Sequence, residues 1–166
     1  MPNTTTPLLD AELAAFMQQD GISLTLGSCS ADLQPSIGRA AGCRVSADRL
    51  TVQMFVSQVQ IAALLAHVRE TGRIAAVFSS PATHRTLQLK GRDGRIEPCP
   101  PEDRALVARY RDAFAAALEP LGYPHSLIRT LLAFPDEDLA VVSFTPLEAY
   151  SATPGPNAGR ALQVGA

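Results

Sequence analysis

Apolar and polar positions recur along this chain with clear periods, and the period changes at turn-forming residues. Leu9, Leu13, Phe16 and Met17 stand at i, i+4, i+7 and i+8, one stripe of a helix expected over 8–20, and Asp20-Gly21 supplies its stop. Ile22, Leu24 and Leu26 then alternate with Ser23 and Thr25, the period of a half-buried strand. A turn through Ser30 to Pro35 leads into a second strand, Ser36 to Val45. Ser46-Ala47-Asp48 leads into a third, Leu50 to Val56, with Leu50, Val52 and Met54 on one face. Three strands on short turns predict an antiparallel meander.

The next pattern is helical. Ser57 and Gln60 match the S-x-x-Q capping box, in which the serine oxygen accepts from the N3 amide and the glutamine reaches back to the cap amide. Ile61, Leu64, Leu65 and Val68 form the apolar stripe, and Thr71-Gly72 ends it. A helix start beside a strand end either offers its N–H groups to an anion or has them satisfied by the capping box alone. The stretch from Gly72 to Gly91 reads as a hairpin: Ile74 to Ser79, a turn at Ser79-Ser80-Pro81, and a return strand from Arg85 toward Ile96 with a turn or bulge at Asp93-Gly94. In the return strand Thr86, Gln88 and Lys90 share one face and Leu87 and Leu89 the other. One side therefore packs on a core, and the other meets water or a ligand.

Pro98, Pro100 and Pro101 break the sheet and begin a helical insertion expected over 100–134. Leu106, Val107, Tyr110, Phe114 and Leu118 line one face of its first helix, Arg104, Arg109 and Arg111 are solvated, and Ser126 to Phe134 forms the second. Leu139 to Phe144 is a near-continuous apolar strand, buried on both sides, and 153–166 has the proline and glycine content of an irregular arm. Together these elements predict one mainly-β domain over 1–166. Its expected form is a nearly closed antiparallel barrel of about six strands, with a helix after the third and a two-helix insertion before the last.

Charge and composition narrow the function. The formal net charge of −2 gives no pull toward nucleic acid or an anionic membrane, and no apolar run is long enough to span a bilayer. Met1 to Pro7 lacks the pattern of a secretory signal. Cys29, Cys43 and Cys99 are odd in number and too widely spaced for a metal-ligand pair, as in a chain kept in a reducing compartment. A soluble, cytoplasmic protein is expected. Phosphate-binding glycine loops, nucleophile elbows and zinc-binding pairs are absent, so the pattern names no catalytic residue and no metal site. His67 is expected at the surface and His125 in local capping; His84, beside the hairpin, has no identifiable partner.

What remains is a set of long polar side chains within strands. Arg39 shares the parity of Ile37, Ala41, Cys43 and Val45, so it needs an anionic partner or a route to solvent. Arg44 has the opposite parity, and a bulge at Gly42 would bring both arginines to one face. A solvated strand face is the simpler alternative for these cations.

The order of elements, with GRAAGCRV in the second strand, the serine-capped helix after the third, and GRIAAVFSSPATHRTLQLKG, resembles the FMN-binding split barrels of the pyridoxamine 5′-phosphate oxidase-like superfamily. The likeness covers Leu9 to about Arg95 and resumes at the last strand. It implies a homodimer with FMN in the interface, Arg39 and Arg44 as phosphate or ribityl contacts, and Ser57, Gln58 and Gln60 at the helix start. Arg85, Thr86, Gln88 and Lys90 would border the flavin groove. The activity implied is an FMN-dependent oxidoreductase of unknown small-molecule substrate, with hydride transfer supplied by the flavin. Members often carry Ser-x-Lys or Arg-Lys at that helix start, whereas Ser57-Gln58-Val59-Gln60 has no cation before Arg69. Loss of one charge-assisted contact weakens phosphate binding by roughly 1.5–3 kcal/mol unless Arg39 or Arg44 compensates. The competing expectations are a split-barrel dimer holding another ligand, such as haem, another flavin or a small anion, and a non-catalytic interaction module.

Overall fold

The structure, a computed structural model, describes residues 6–163. The first five positions and the last three, which include the end of the expected C-terminal arm, lie outside the described residues. The elements run α1 (Ala11–Met17), β1 (Ser23–Cys29), β2 (Pro35–Arg39), β3 (Cys43–Val45), β4 (Val52–Ser57), α2 (Ala62–Thr71), β5 (Ile74–Ser79), β6 (Thr86–Gly91), β7 (Arg95–Pro98), α3 (Arg104–Leu118), α4 (His125–Leu131), β8 (Leu139–Phe144), β9 (Glu148–Ser151) and β10 (Arg160–Ala161). One sheet has the order β10-β9-β6-β5-β1-β2 and the other β3-β4-β8-β7, with antiparallel pairing throughout. The fold is mainly β, as expected. The strands are shorter and more numerous than expected because the chain turns corners inside them.

The second strand shows this most clearly. The Ala40 amide still donates to Leu24 O in the six-stranded sheet (3.1 Å), while the next amide, Ala41, donates to Phe55 O in the other (2.7 Å). Phe55 N donates in turn to Gly42 O (3.0 Å), so Ala41 and Gly42 together stand opposite one residue. That is the expected bulge, and it is also the corner where β2 and β3 part into different sheets. The anticipated three-strand meander is therefore split between two sheets. A second corner lies at Asp93, whose carboxylate accepts from the Thr145 amide and hydroxyl, each at 2.8 Å, and ties the β6–β7 turn to the β8–β9 turn.

The helices follow their stripes. The Asp10 carboxylate caps α1 by accepting from Leu13 N (2.7 Å), and Phe16 and Met17 are buried. Leu64, Leu65 and Val68 of α2 pack into the core, and Gly72 ends the helix at φ 66° with its amide on Val68 O. Helix α2 starts at Ala62, later than expected, because Ser57 is the last residue of β4, paired with Leu139. Only the forward half of the capping box forms, from Gln60 N to Ser57 Oγ (3.1 Å). Val107, Tyr110 and Phe114 fix α3, with the Tyr110 hydroxyl donating to Ile22 O (2.9 Å). Every residue of β8 is buried, as its apolar run requires. The C-terminal arm is not wholly irregular, since β10 returns to pair with Tyr150 and Ser151.

Candidate functional site

Cross-strand register on the outer face of the six-stranded sheet places Glu148, Lys90, Ala75, Gly27 and Ile37 side by side in one row across five strands. The adjacent row runs Tyr150, Gln88, Val77, Thr25 and Arg39. Alternation sends Leu24, Leu26, Ala76, Leu87 and Leu89 to the core side, so this face is turned away from that core, and α3 reaches it at Arg39. The polar row of the hairpin is thus directed outward. A groove of about 820 Å³ runs along the first row, floored by Gly27 and Ala75 and walled by Leu33, Ile37 and Leu147. Arg73, Lys90 and Arg92 border it. The three wall residues are unusually open for aliphatic side chains, at 67%, 78% and 55% exposure.

The nine residues marked out by the sequence do not converge on one point. Gln88, Lys90 and Arg39 lie on the outer face, though Arg39 is at the far end of its row from Gln88. Lys90 Nζ sits 4.9 Å from the centre of the Tyr150 ring. Thr86 shares a hydrogen bond with Ser79 Oγ (2.8 Å), and its amide donates to Thr153 Oγ1 (2.9 Å). Arg85 leaves the sheet to pair with Glu12 of α1 (2.8 Å), lying over the Phe16 ring. Gln58 and Gln60 are exposed in the turn before α2.

Both strand arginines are engaged by neighbouring elements. Arg39 donates to Ser23 Oγ (3.1 Å) and lies over Phe114 of α3 (5.5 Å). Arg44 makes a two-pronged ion pair with Asp103, just before α3, and that aspartate is only 4% exposed. The bulge leaves the two arginines in different sheets, and the helical insertion contacts both. In the turn ahead of α2, Ser57 Oγ donates to the Asp138 carboxylate, and Val59 N donates to the other carboxylate oxygen (3.0 Å). Groups expected to hold a phosphate are therefore bonded to the chain's own carboxylates, and the residues present there do not fit a further anion.

Other expectations shift as well. His67 is not free at the surface: its Nδ1 lies 2.8 Å from Ser36 Oγ across the α2–β2 contact. His84 occupies a turn at φ 60°, its amide on Ser80 O. Arg111, expected in solvent, is half-buried against the Phe134 ring and donates to Phe134 O (3.1 Å). Burial pushes the Cys43 thiol up, out of the reactive range. The hydrogen bond to Glu148 raises the Tyr150 phenol, keeping it a donor at the groove's edge. Among the described residues no group of three or more His, Cys, Asp or Glu is gathered as a metal would need.

Groove residues that sequence reasoning missed are Gly27, Ala75, Arg73, Arg92, Leu147 and Glu148. Their shared row depends on strand order, and no local pattern marks it.

No protein-family model and no curated protein matches this sequence. Solved structures do match its backbone. HupZ of Group A Streptococcus superposes with a TM-score of 0.53 at 14% identity, over 91% of this chain and 99% of that one. A candidate pyridoxamine 5′-phosphate oxidase from Lactobacillus delbrueckii gives 0.53 at 13%, over 89% and 97%. The chain has the split-barrel fold of the pyridoxamine 5′-phosphate oxidase-like proteins. General Stress Protein 26 of Bacillus anthracis shares this split barrel at 0.51 and 10%, over 92% and 97%. Identities of this size establish the common backbone, while the side chains that bind and react are this chain's own.

Proposed function

We propose that this split barrel acts as a homodimer that takes a flat, conjugated, negatively charged ligand of the flavin class in the groove across its six-stranded sheet. The observation that carries the reading is the groove: about 820 Å³, within the usual size of cofactor sites, with an apolar floor and cations at its border. Gly27 and Ala75 keep the floor low enough for a planar ring to approach the backbone. Lys90, Arg73 and Arg92 supply charge for an anionic substituent. Leu33, Ile37 and Leu147 are the surface that a second copy would cover, closing the groove between the two. A flavin held there would bring its own hydride chemistry, and the chain's part would be to bind it and exclude water.

Titrating the purified protein with FMN and with haem, by flavin fluorescence and by haem absorbance, tests the proposal. Saturable FMN binding that Lys90→Ala weakens about tenfold, with a dimer by light scattering, is the expected result. A monomer that binds no flavin would remove it. The engagement of Arg44 and Ser57 by internal carboxylates favours a second reading, a dimer that holds haem or, instead, a small anion in the same groove. Haem binding without flavin binding would select that reading.

A further inference from the structure

We infer that Asp103 and Asp138, on either side of the two insertion helices, stand in for a ligand's anion at the strand arginine and in the turn ahead of α2, so that a phosphate-bearing cofactor gains nothing from Arg44, Ser57 and the Gln58 and Val59 amides. The inference does not rest on the groove reading. Asp103 closes the short helical turn Pro101–Asp103 ahead of α3, and Asp138 closes the turn Asp136–Asp138 ahead of β8. Each carboxylate thus anchors one end of the insertion to the barrel.

The chemistry at each end is that of an anion site already filled. Both carboxylate oxygens of Asp103 accept from the two terminal nitrogens of Arg44, the two-pronged geometry by which arginine holds carboxylate or phosphate. Asp103 is buried, so withdrawing Arg44 toward a ligand would strand a charge away from water. That bond also raises the Arg44 guanidinium above its ordinary range. At the other end Asp138 takes the Ser57 hydroxyl and the Val59 amide on its side chain, and the Gln58 amide on its backbone carbonyl (2.9 Å). An anion placed in the turn ahead of α2 would need these same donors. A phosphate brought to them meets a carboxylate of like charge, and the Ser57 hydroxyl and the Gln58 and Val59 amides are already engaged by Asp138. The absence of a lysine in Ser57-Gln58-Val59-Gln60 agrees, since a single carboxylate needs less charge around it than a phosphate does.

Vacating one end tests the inference. In chloride buffer Asp138→Ala should unfold several degrees below wild type. Replacing chloride by inorganic phosphate at matched ionic strength should then raise the variant's Tm by more than the wild type's, because the freed donors recover an anion. Equal shifts in the two proteins would overturn the inference. The wild-type chain and one mild variant give a second measurement, the affinity for FMN relative to riboflavin. A preference for FMN that Ser57→Ala erases also overturns the inference. A preference that Lys90→Ala erases and Ser57→Ala leaves intact supports it. Failure of the groove to take any flavin would sink the proposed function and leave the phosphate-dependent Tm comparison standing.

Discussion

Asp93 shows how much one side chain can hold in a fold with corners. Burial alone would raise its pKa, but the Thr145 amide and hydroxyl, with Arg95 nearby, outweigh that and hold the carboxyl below its ordinary value of 3.8. A folded-state pKa below the unfolded one contributes stability that is present above the unfolded value and lost as pH falls through the folded one. Asp93→Asn should therefore unfold at lower urea than wild type at pH near neutrality. The difference should shrink in acid, below the carboxyl's lowered pKa, and a gap that persists there would show that the stability comes from shape and not charge. Arg44 and Asp103 make the complementary point. Their separation of 59 positions in sequence gives no local signal, so an arginine that reads as a ligand contact is satisfied by a carboxylate of the chain itself.

At the scale of elements, β2 and α2 meet through Gly38. A Cβ built there would stand 2.9 Å from Ile61 Cβ and still closer to its Cγ2, so the strand lies against the helix with no room for a methyl group. Gly38→Ala should cost about 1–3 kcal/mol by overpacking, read as a lower denaturation midpoint with the m-value unchanged. A neutral substitution would mean that α2 can shift outward freely. The same contact explains why α2 was legible in sequence. Its stripe, Ile61, Leu64, Leu65 and Val68, is the surface that the strand requires. Its true start was less legible, because Ser57 serves both as the end of β4 and as the acceptor for Gln60 N, and sequence spacing alone reads the second role as a cap.

At the scale of the whole molecule, the groove on the outer face of the six-stranded sheet is walled by exposed aliphatic side chains. Ile37 stands at one end of the groove's row, on the edge strand β2, and is 78% exposed. Under the proposed dimer, Ile37→Arg should convert dimer to monomer in light scattering while leaving the monomer's circular dichroism unchanged, since the exposed side chain contributes little to the core. A dimer unaffected by that change would put the interface elsewhere.

The sequence by itself determined the elements that repeat a local period: the helix stripes, the alternation of β1 and β6, the buried run of β8, and the polar row Thr86, Gln88 and Lys90 opposed to Leu87 and Leu89. Even the bulge beside Gly42 was readable, because a glycine inside a strand and an arginine on an apolar parity are both local anomalies. Only the tertiary structure decided which side chains meet. The bulge became a corner between two sheets, Arg44 met Asp103, Ser57 met Asp138, and five strands aligned Glu148, Lys90, Ala75, Gly27 and Ile37 into one row along the groove. Periodicity reports which way a residue faces within its own element. Partners contributed by distant segments are set by strand order and by the path of the insertion, and neither leaves a repeating mark on the chain.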